Sequence, residues 1–246
     1  MLRSFRTWQN ARWRGGAHWL DINAGTLPDR EAHDLTWLIQ LVQAVVTVPL
    51  CLDSANPDAL RAVIKQVNQP AMINSISGEE TRLNDILPIV AENGCDVIAL
   101  CMDDKGIPAT AGARLEVAGK ILARTRAAGV PDDKVYIDPL VMTIATNIEA
   151  GLVTLETMRA VRAEFPNVHI SCGLSNVSFG LPARALVNRT FLVLGLQAGM
   201  DTAIIDPNDR EMGAAMRAAE LLLGKDKHCL NYTRAFRAGL LESKTV

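Results

Sequence analysis

An α/β fold, and within that class a (β/α)8 TIM barrel, is what this sequence predicts, on three observations. Short apolar runs alternate with helix-like segments along most of the chain, and each run finishes on a polar residue. The length, 246 residues, sits near the ~250 residues typical of such a barrel. With 49% hydrophobic and 21% charged residues, the chain can bury a sizeable core and is not a disordered polymer.

The elements follow in order. Residues 1–15 read as an N-terminal helix, with Arg3, Arg6, Arg12 and Arg14 interleaved with Phe5, Trp8 and Trp13. Runs of strand length follow at His18–Asn23, Pro49–Ser54, Ala71–Ser75, Asp96–Met102, Val135–Asp138, Val168–Gly173 and Thr202–Asp206. Continuous apolar runs of this length suit strands buried on both faces. Between them, Glu31–Val45 opens behind Pro28-Asp29, Pro57–Gln66 behind Asn56, and Glu79–Glu92 behind Ser77. Arg114–Ala128 ends on Gly129, and Pro182–Ala198 ends on Gly199. Caps or proline at helix starts and glycine at helix ends are the expected boundary chemistry. Residues 231–246 read as a C-terminal helix and tail, and no linker divides the chain, so residues 1–246 are expected to form one domain.

Strand–helix alternation of this kind implies a parallel sheet. A doubly wound dinucleotide-binding sheet would carry GxGxxG after its first strand; here that loop reads Ala24-Gly25-Thr26-Leu27-Pro28-Asp29, and no GxxxxGK[ST] occurs. Polar residues at strand C-termini favour the barrel, where those ends converge on one face. The runs supply seven strands and a barrel needs eight. The first strand is therefore expected to be missing from this chain, leaving edges that need managing.

Charge and composition exclude several function classes. Lys+Arg number 25 against 27 Asp+Glu, a net charge of −2, which argues against a dedicated nucleic-acid binder. No run approaches the ~20 apolar residues of a membrane span, and the basic opening has no apolar signal-peptide core. The five cysteines form no CxxC or CxxH pair; buried reduced thiols and a cytoplasmic protein are expected, with no metal in this chain. The four histidines are scattered, and no lysine is placed for Schiff-base chemistry.

The chemistry that remains is at the strand ends. Asp53, Asn74 and Asp138 close three different strands. Two carboxylates and a carboxamide suit a buried ligand rich in N–H donors and carbonyl acceptors, such as the amino-amide edge of a pterin or guanine. The competing reading is that each caps a neighbouring helix or orders a loop.

The most distinctive stretch is Gly173–Arg184, GLSNVSFGLPAR, followed by Leu186-Val-Asn-Arg-Thr-Phe191. Together with LDINAG at 20–25, LDSANPDAL at 52–60, MINSISGE at 72–79, MDDKGIP at 102–108 and YIDPL at 136–140, it resembles the pterin-binding methyltransferase family, specifically the methyltetrahydrofolate:corrinoid-protein methyltransferases. The resemblance covers about residues 15–240. It implies a TIM barrel, usually a homodimer, that binds tetrahydrofolate or N5-methyltetrahydrofolate as substrate. The methyl group would pass reversibly to or from the Co(I) corrinoid of a separate corrinoid protein. By the same resemblance Asp53, Asn74 and Asp138 would hold the pterin edge, Asn176 would lie near N5 as the catalytic residue, and Arg184 would reach the same neighbourhood. The absence of a corrinoid-binding DxHxxG motif fits a cobalt carried by a partner. A dihydropteroate-synthase-like enzyme, and a non-catalytic folate-binding remnant, are the alternatives.

Overall fold

The computed structural model describes residues 16–241; the N-terminal helix expected over residues 1–15 and the last five residues of the tail lie outside the described residues. The chain divides into two compact units, one of residues up to 138 together with 167–169, the other of residues 139–166 and 170 onward.

The first unit carries strands β1 (Leu20–Ile22), β2 (Leu50–Asp53), β3 (Met72–Ser77), β4 (Asp96–Leu100) and β5 (Val135–Asp138), and β6 (His169–Ile170) supplies His169. The sheet order is β1 to β6 without interruption. Each neighbouring pair from β1 to β5 is parallel, as the alternation requires. Parallel partners share a face, and so do residues two apart on one strand. Leu50, Leu52, Ile73, Val97, Ala99, Val135 and Ile137 therefore form one face, every one of them buried. The opposite face carries a smaller cluster of Cys51, Met72, Ile98 and Tyr136, with Trp19 and Leu100 packed against it. His169 stacks on Tyr136 with ring centroids 4.5 Å apart, a structural use of a histidine that sits inside an apolar run.

Helices α1 (Pro28–Gln43), α2 (Pro57–Val63), α3 (Glu80–Asp85), α4 (Leu87–Asn93) and α5 (Ala111–Ala127) complete this unit. Asn56 caps α2 by accepting from the Asp58 and Ala59 N–H groups, and Thr110 caps α5 by accepting from Ala113 N. The single helix expected over 79–92 is two helices that meet at Ile86. Pro88 explains the break, because a proline has no N–H to give the preceding turn and its ring clashes with the carbonyl four residues back.

Gly78 sits where the β3–α3 connection meets the β4–α5 loop. Its N–H donates to Met102 O at 2.7 Å, and a Cβ there would stand 2.9 Å from both that oxygen and Val117 Cγ1. Gly78→Ala is expected to destabilise the protein by about 1–3 kcal/mol through overpacking, lowering the thermal midpoint by roughly 2–4 °C per kcal/mol. A calorimetric scan with an unchanged midpoint would show that the loops separate without cost.

The second unit is helical: α6 (Ala150–Glu164), a 3-10 turn (Leu174–Ser178), α7 (Arg184–Gln197), α8 (Arg210–Leu222) and α9 (Leu230–Arg237). The helix expected from Pro182 begins instead at Arg184, because Ala183 takes a left-handed conformation with φ 51°. The strand expected over Thr202–Asp206 is not formed. Thr202 N and Ile204 N donate to Ile170 O and Cys172 O, at 3.1 and 3.0 Å, so the segment is tied alongside residues 170–172 without being a regular strand. None of the helices described is long and apolar enough to cross a membrane.

Candidate functional site

Strand register fixes where three of the expected residues stand. Asp53 pairs with Asn74, Asn74 with Ile98, and Leu100 with Asp138. Since Ile98 and Leu100 are two apart, Asp53, Asn74 and Asp138 lie on one face of the first unit's sheet. It is the face of the Cys51–Met72–Ile98–Tyr136 cluster, toward the strand C-termini. The apolar cluster forms its floor, and the three polar side chains follow it along their own strands. Asp21, the register partner of Cys51, joins the same face.

Each of these groups has local support. Asp53 Oδ2 accepts from Asn23 Nδ2 at 2.8 Å, and Asn23 Oδ1 accepts from Gly25 N at 2.7 Å. Ser54, the neighbour of Asp53, is structural: its N–H donates to Asn74 O, its hydroxyl donates to Glu31, and that hydroxyl accepts from Asn56 N. A bulge interrupts the β3–β4 register between Asn74 and Ile76, and the Asn74–Ser75 peptide is cis. Asp138 is 6% exposed, and its carbonyl accepts from Cys101 N at 2.9 Å.

The face is acidic, and a buried arginine of α5 interacts electrostatically with Asp138. Burial, then the charges of Asp21 and Asp53, pushes the Cys51 thiol well above its ordinary value. Burial and the Asp138 charge do the same to Cys101. These thiols are neutral at physiological pH and inert as nucleophiles. Arg114, 4% exposed, is drawn below its ordinary value by burial, against the opposing pull of Cys101 and Asp138. Its Nε donates to Pro108 O at 2.9 Å. Sequence reasoning missed Arg114, which reads there as an ordinary arginine of a helix, and Asn23, which lay in a noted motif without a role.

Asn176 and Arg184 belong to the second unit. Asn176 is exposed in the 3-10 turn, its N–H donating to Gly173 O and its carbonyl accepting from Phe179 N. A Cβ on Gly173 would lie 3.3 Å from Asn176 Nδ2, so the glycine leaves room for the carboxamide. Arg184 staples the turn: Nη2 donates to Ser175 O at 2.8 Å and Nε to Ser178 Oγ at 3.1 Å. Its guanidinium lies 5.5 Å from the Phe179 ring centroid. Ser178 in turn donates to Asn188 Oδ1 at 2.6 Å. The loop GLSNVSFGLPAR is thus a hydrogen-bonded unit that presents Asn176 on a braced backbone.

Among the described residues no group of three or more His, Cys, Asp or Glu side chains could hold a metal ion. Cys51, Cys95, Cys101 and Cys172 are buried and free, and Cys229 is exposed and free.

A model of pterin binding enzymes matches residues 8–206. The chain belongs to this family. It is 37% identical over 231 residues to the methylcorrinoid:tetrahydrofolate methyltransferase of Eubacterium limosum, covering 93% of this chain and 85% of that one. It is 34% identical over 204 residues to the methionine synthase of Mycobacterium tuberculosis, covering 78% of this chain but 17% of that far longer protein. Among solved structures it resembles a dihydropteroate synthase of Coxiella burnetii (TM-score 0.70, 19% identity, 92% of this chain and 87% of that one). A dihydropteroate synthase of Yersinia pestis is similarly related (TM-score 0.71, 16% identity, 91% and 90%). At such identity these structures speak for the fold, an α/β fold of TIM-barrel class.

Proposed function

We propose that this pterin-binding protein is a methyltransferase that moves a methyl group between N5 of methyltetrahydrofolate and the Co(I) corrinoid of a separate corrinoid protein, in either direction. The observation that carries the reading is the placement of Asp53, Asn74 and Asp138 on one sheet face, in a chain 37% identical to a methylcorrinoid:tetrahydrofolate methyltransferase. In this reading residues 1–246 act as one pterin-binding domain, in the cytoplasm, as a homodimer. The family match running from residue 8 to 206 supports the single domain.

Asp53 and Asp138 accept from the ring N–H and exocyclic NH2 of the pterin, and the Asn74 carboxamide both donates and accepts. Binding alone does not move the methyl group, because an uncharged N5 leaves poorly as an anion. N5 must gain a proton before the N5–CH3 bond breaks, its electron pair then staying on nitrogen while the cobalt's pair forms the new bond to carbon. A carboxamide is no acid at neutral pH. The Asn176 oxygen instead accepts from N5–H⁺, an interaction stronger in the activated state than in the ground state. Arg184, held by Ser175 and Ser178, keeps the Asn176 turn in place.

The test is methyl transfer from methyltetrahydrofolate to free cob(I)alamin, followed spectrophotometrically. Transfer by the wild-type protein is the expected result. Tight folate binding without transfer would make the chain a folate-binding remnant, and condensation of a dihydropterin pyrophosphate with aminobenzoate would make it a synthase.

A further inference from the structure

The LDINAG motif ends the first described strand, and the mechanism above gives it no part. Asn23 is nevertheless the group in direct contact with one of the three pterin-edge residues. Its carboxamide is fixed at both ends. Gly25 N–H can only donate, so the atom 2.7 Å from it is the amide oxygen, and the NH2 end must therefore face Asp53 Oδ2, 2.8 Å away. Asp53 closes β2 thirty residues later, so this bond ties two neighbouring strand ends across the sheet edge.

A carboxylate at a strand end is free to rotate about χ2, a broad torsion for an sp²-terminated side chain. One N–H on Oδ2 sets the plane of that carboxylate. It leaves Oδ1 and one lone pair of Oδ2 to accept from a ligand.

We infer that Asn23 is a positioning residue for Asp53: locked by Gly25, it orients the carboxylate as an acceptor for the N–H edge of the pterin. The inference rests on the proposed folate site and adds a residue to it. Among the described residues, the titratable groups that share this face of the sheet are Asp21 of β1 and Cys51 of β2, with Asp138 of β5 further across it. The thiol is neutral through burial. Asp21 is present in every variant compared, and as a like charge it favours the shared proton in Asn23→Asp.

The isosteric substitution Asn23→Asp separates this role from a merely structural one. It keeps the shape and the Gly25 contact, and it sets a second carboxylate against Asp53. Two carboxylates at that distance cannot both ionise freely; at low pH they share a proton. A shared proton restores an O–H donor where the NH2 stood. Binding of N5-methyltetrahydrofolate to the full chain, measured by anaerobic titration calorimetry, reads the outcome. Asn23→Ala is expected to raise Kd about 10-fold at every pH. Asn23→Asp is expected to raise it about 100-fold at pH 8 and to recover to within about 10-fold of wild type at pH 5.5. Circular dichroism confirms folding, and Asn23→Ser, small and polar at an exposed position, serves if either variant is unstable. Unchanged Kd in the Asn23 variants, or a loss in Asn23→Asp that does not vary with pH, would overturn the inference while leaving the folate site standing. A wild-type protein that binds no folate would overturn both.

Discussion

Asn176→Ala is expected to slow methyl transfer about 10²–10³-fold while changing the affinity for methyltetrahydrofolate less than about fivefold. The split follows from the charge that appears on N5. In the ground state N5 is an uncharged amine with little to offer a carboxamide oxygen, so alanine removes little binding. Once the proton arrives, N5–H⁺ is a strong donor, and a fixed acceptor beside it is worth far more. A preorganised dipole is effective because it needs no reorganisation at the moment of reaction. The turn carrying Asn176 has that character: Arg184 donates to Ser175 O and to Ser178 Oγ, and Gly173 leaves space for the amide. Single-turnover kinetics with cob(I)alamin, set beside calorimetric Kd, tests the division. Equal losses in rate and affinity would make Asn176 a binding residue only, and no loss in either would remove it from the site.

How much of this was legible in the sequence depends on the range of the interaction involved. Five of the six strands described lie within the apolar runs, because strands buried on both faces must be apolar throughout; β3 runs on from the expected end at Ser75 to Ser77. Asp53 and Asp138 could be singled out because each ends its strand; Asn74, expected to close its strand as well, is instead the third of six residues of β3, which continues to Ser77. That they share a face could not, since it needs the register of three strand pairs; one residue of slip would turn Asn74 to the other side. Local chemistry misled in two places. The periodicity over 79–92 predicts one long helix, but the missing N–H of Pro88 splits it at Ile86. Thr202–Asp206 has strand composition and donates to residues 170 and 172, yet it does not form a regular strand. Helix α8 is not among the expected helices, although Asp209 accepts from Met212 N at 3.0 Å as a regular N-cap. The groups that surround the site are the least legible. Asn23 reaches Asp53 across thirty residues, and Arg114 stands on a helix whose sequence gives no reason to bury it.

Asp138→Asn is expected to weaken methyltetrahydrofolate binding about 100-fold, and to change the rate of transfer from the bound complex far less. The carboxylate is 6% exposed, so the groups it serves are removed from water and have nowhere else to turn. Replacing one oxygen by NH2 does more than remove a hydrogen bond. It aims a donor at a donor on the pterin edge and leaves one of the two buried and unpaired, at a cost of roughly 1–3 kcal/mol with more for a charged partner, or about two decades in Kd. The backbone is not expected to move, because Cys101 N still donates to the residue's carbonyl. The substitution also takes a negative charge from the neighbourhood of buried Arg114, whose charged form burial already disfavours. Some stability should therefore be lost with the affinity. The two effects separate in a second protein, Asp138→Asn with Arg114→Met, in which the buried cation is gone as well. If pterin recognition is the role of Asp138, stability recovers in the double variant and affinity does not. Affinity that returns with stability, or that never falls in the single variant, would assign Asp138 to the support of Arg114 and leave Asp53 and Asn74 to hold the ring.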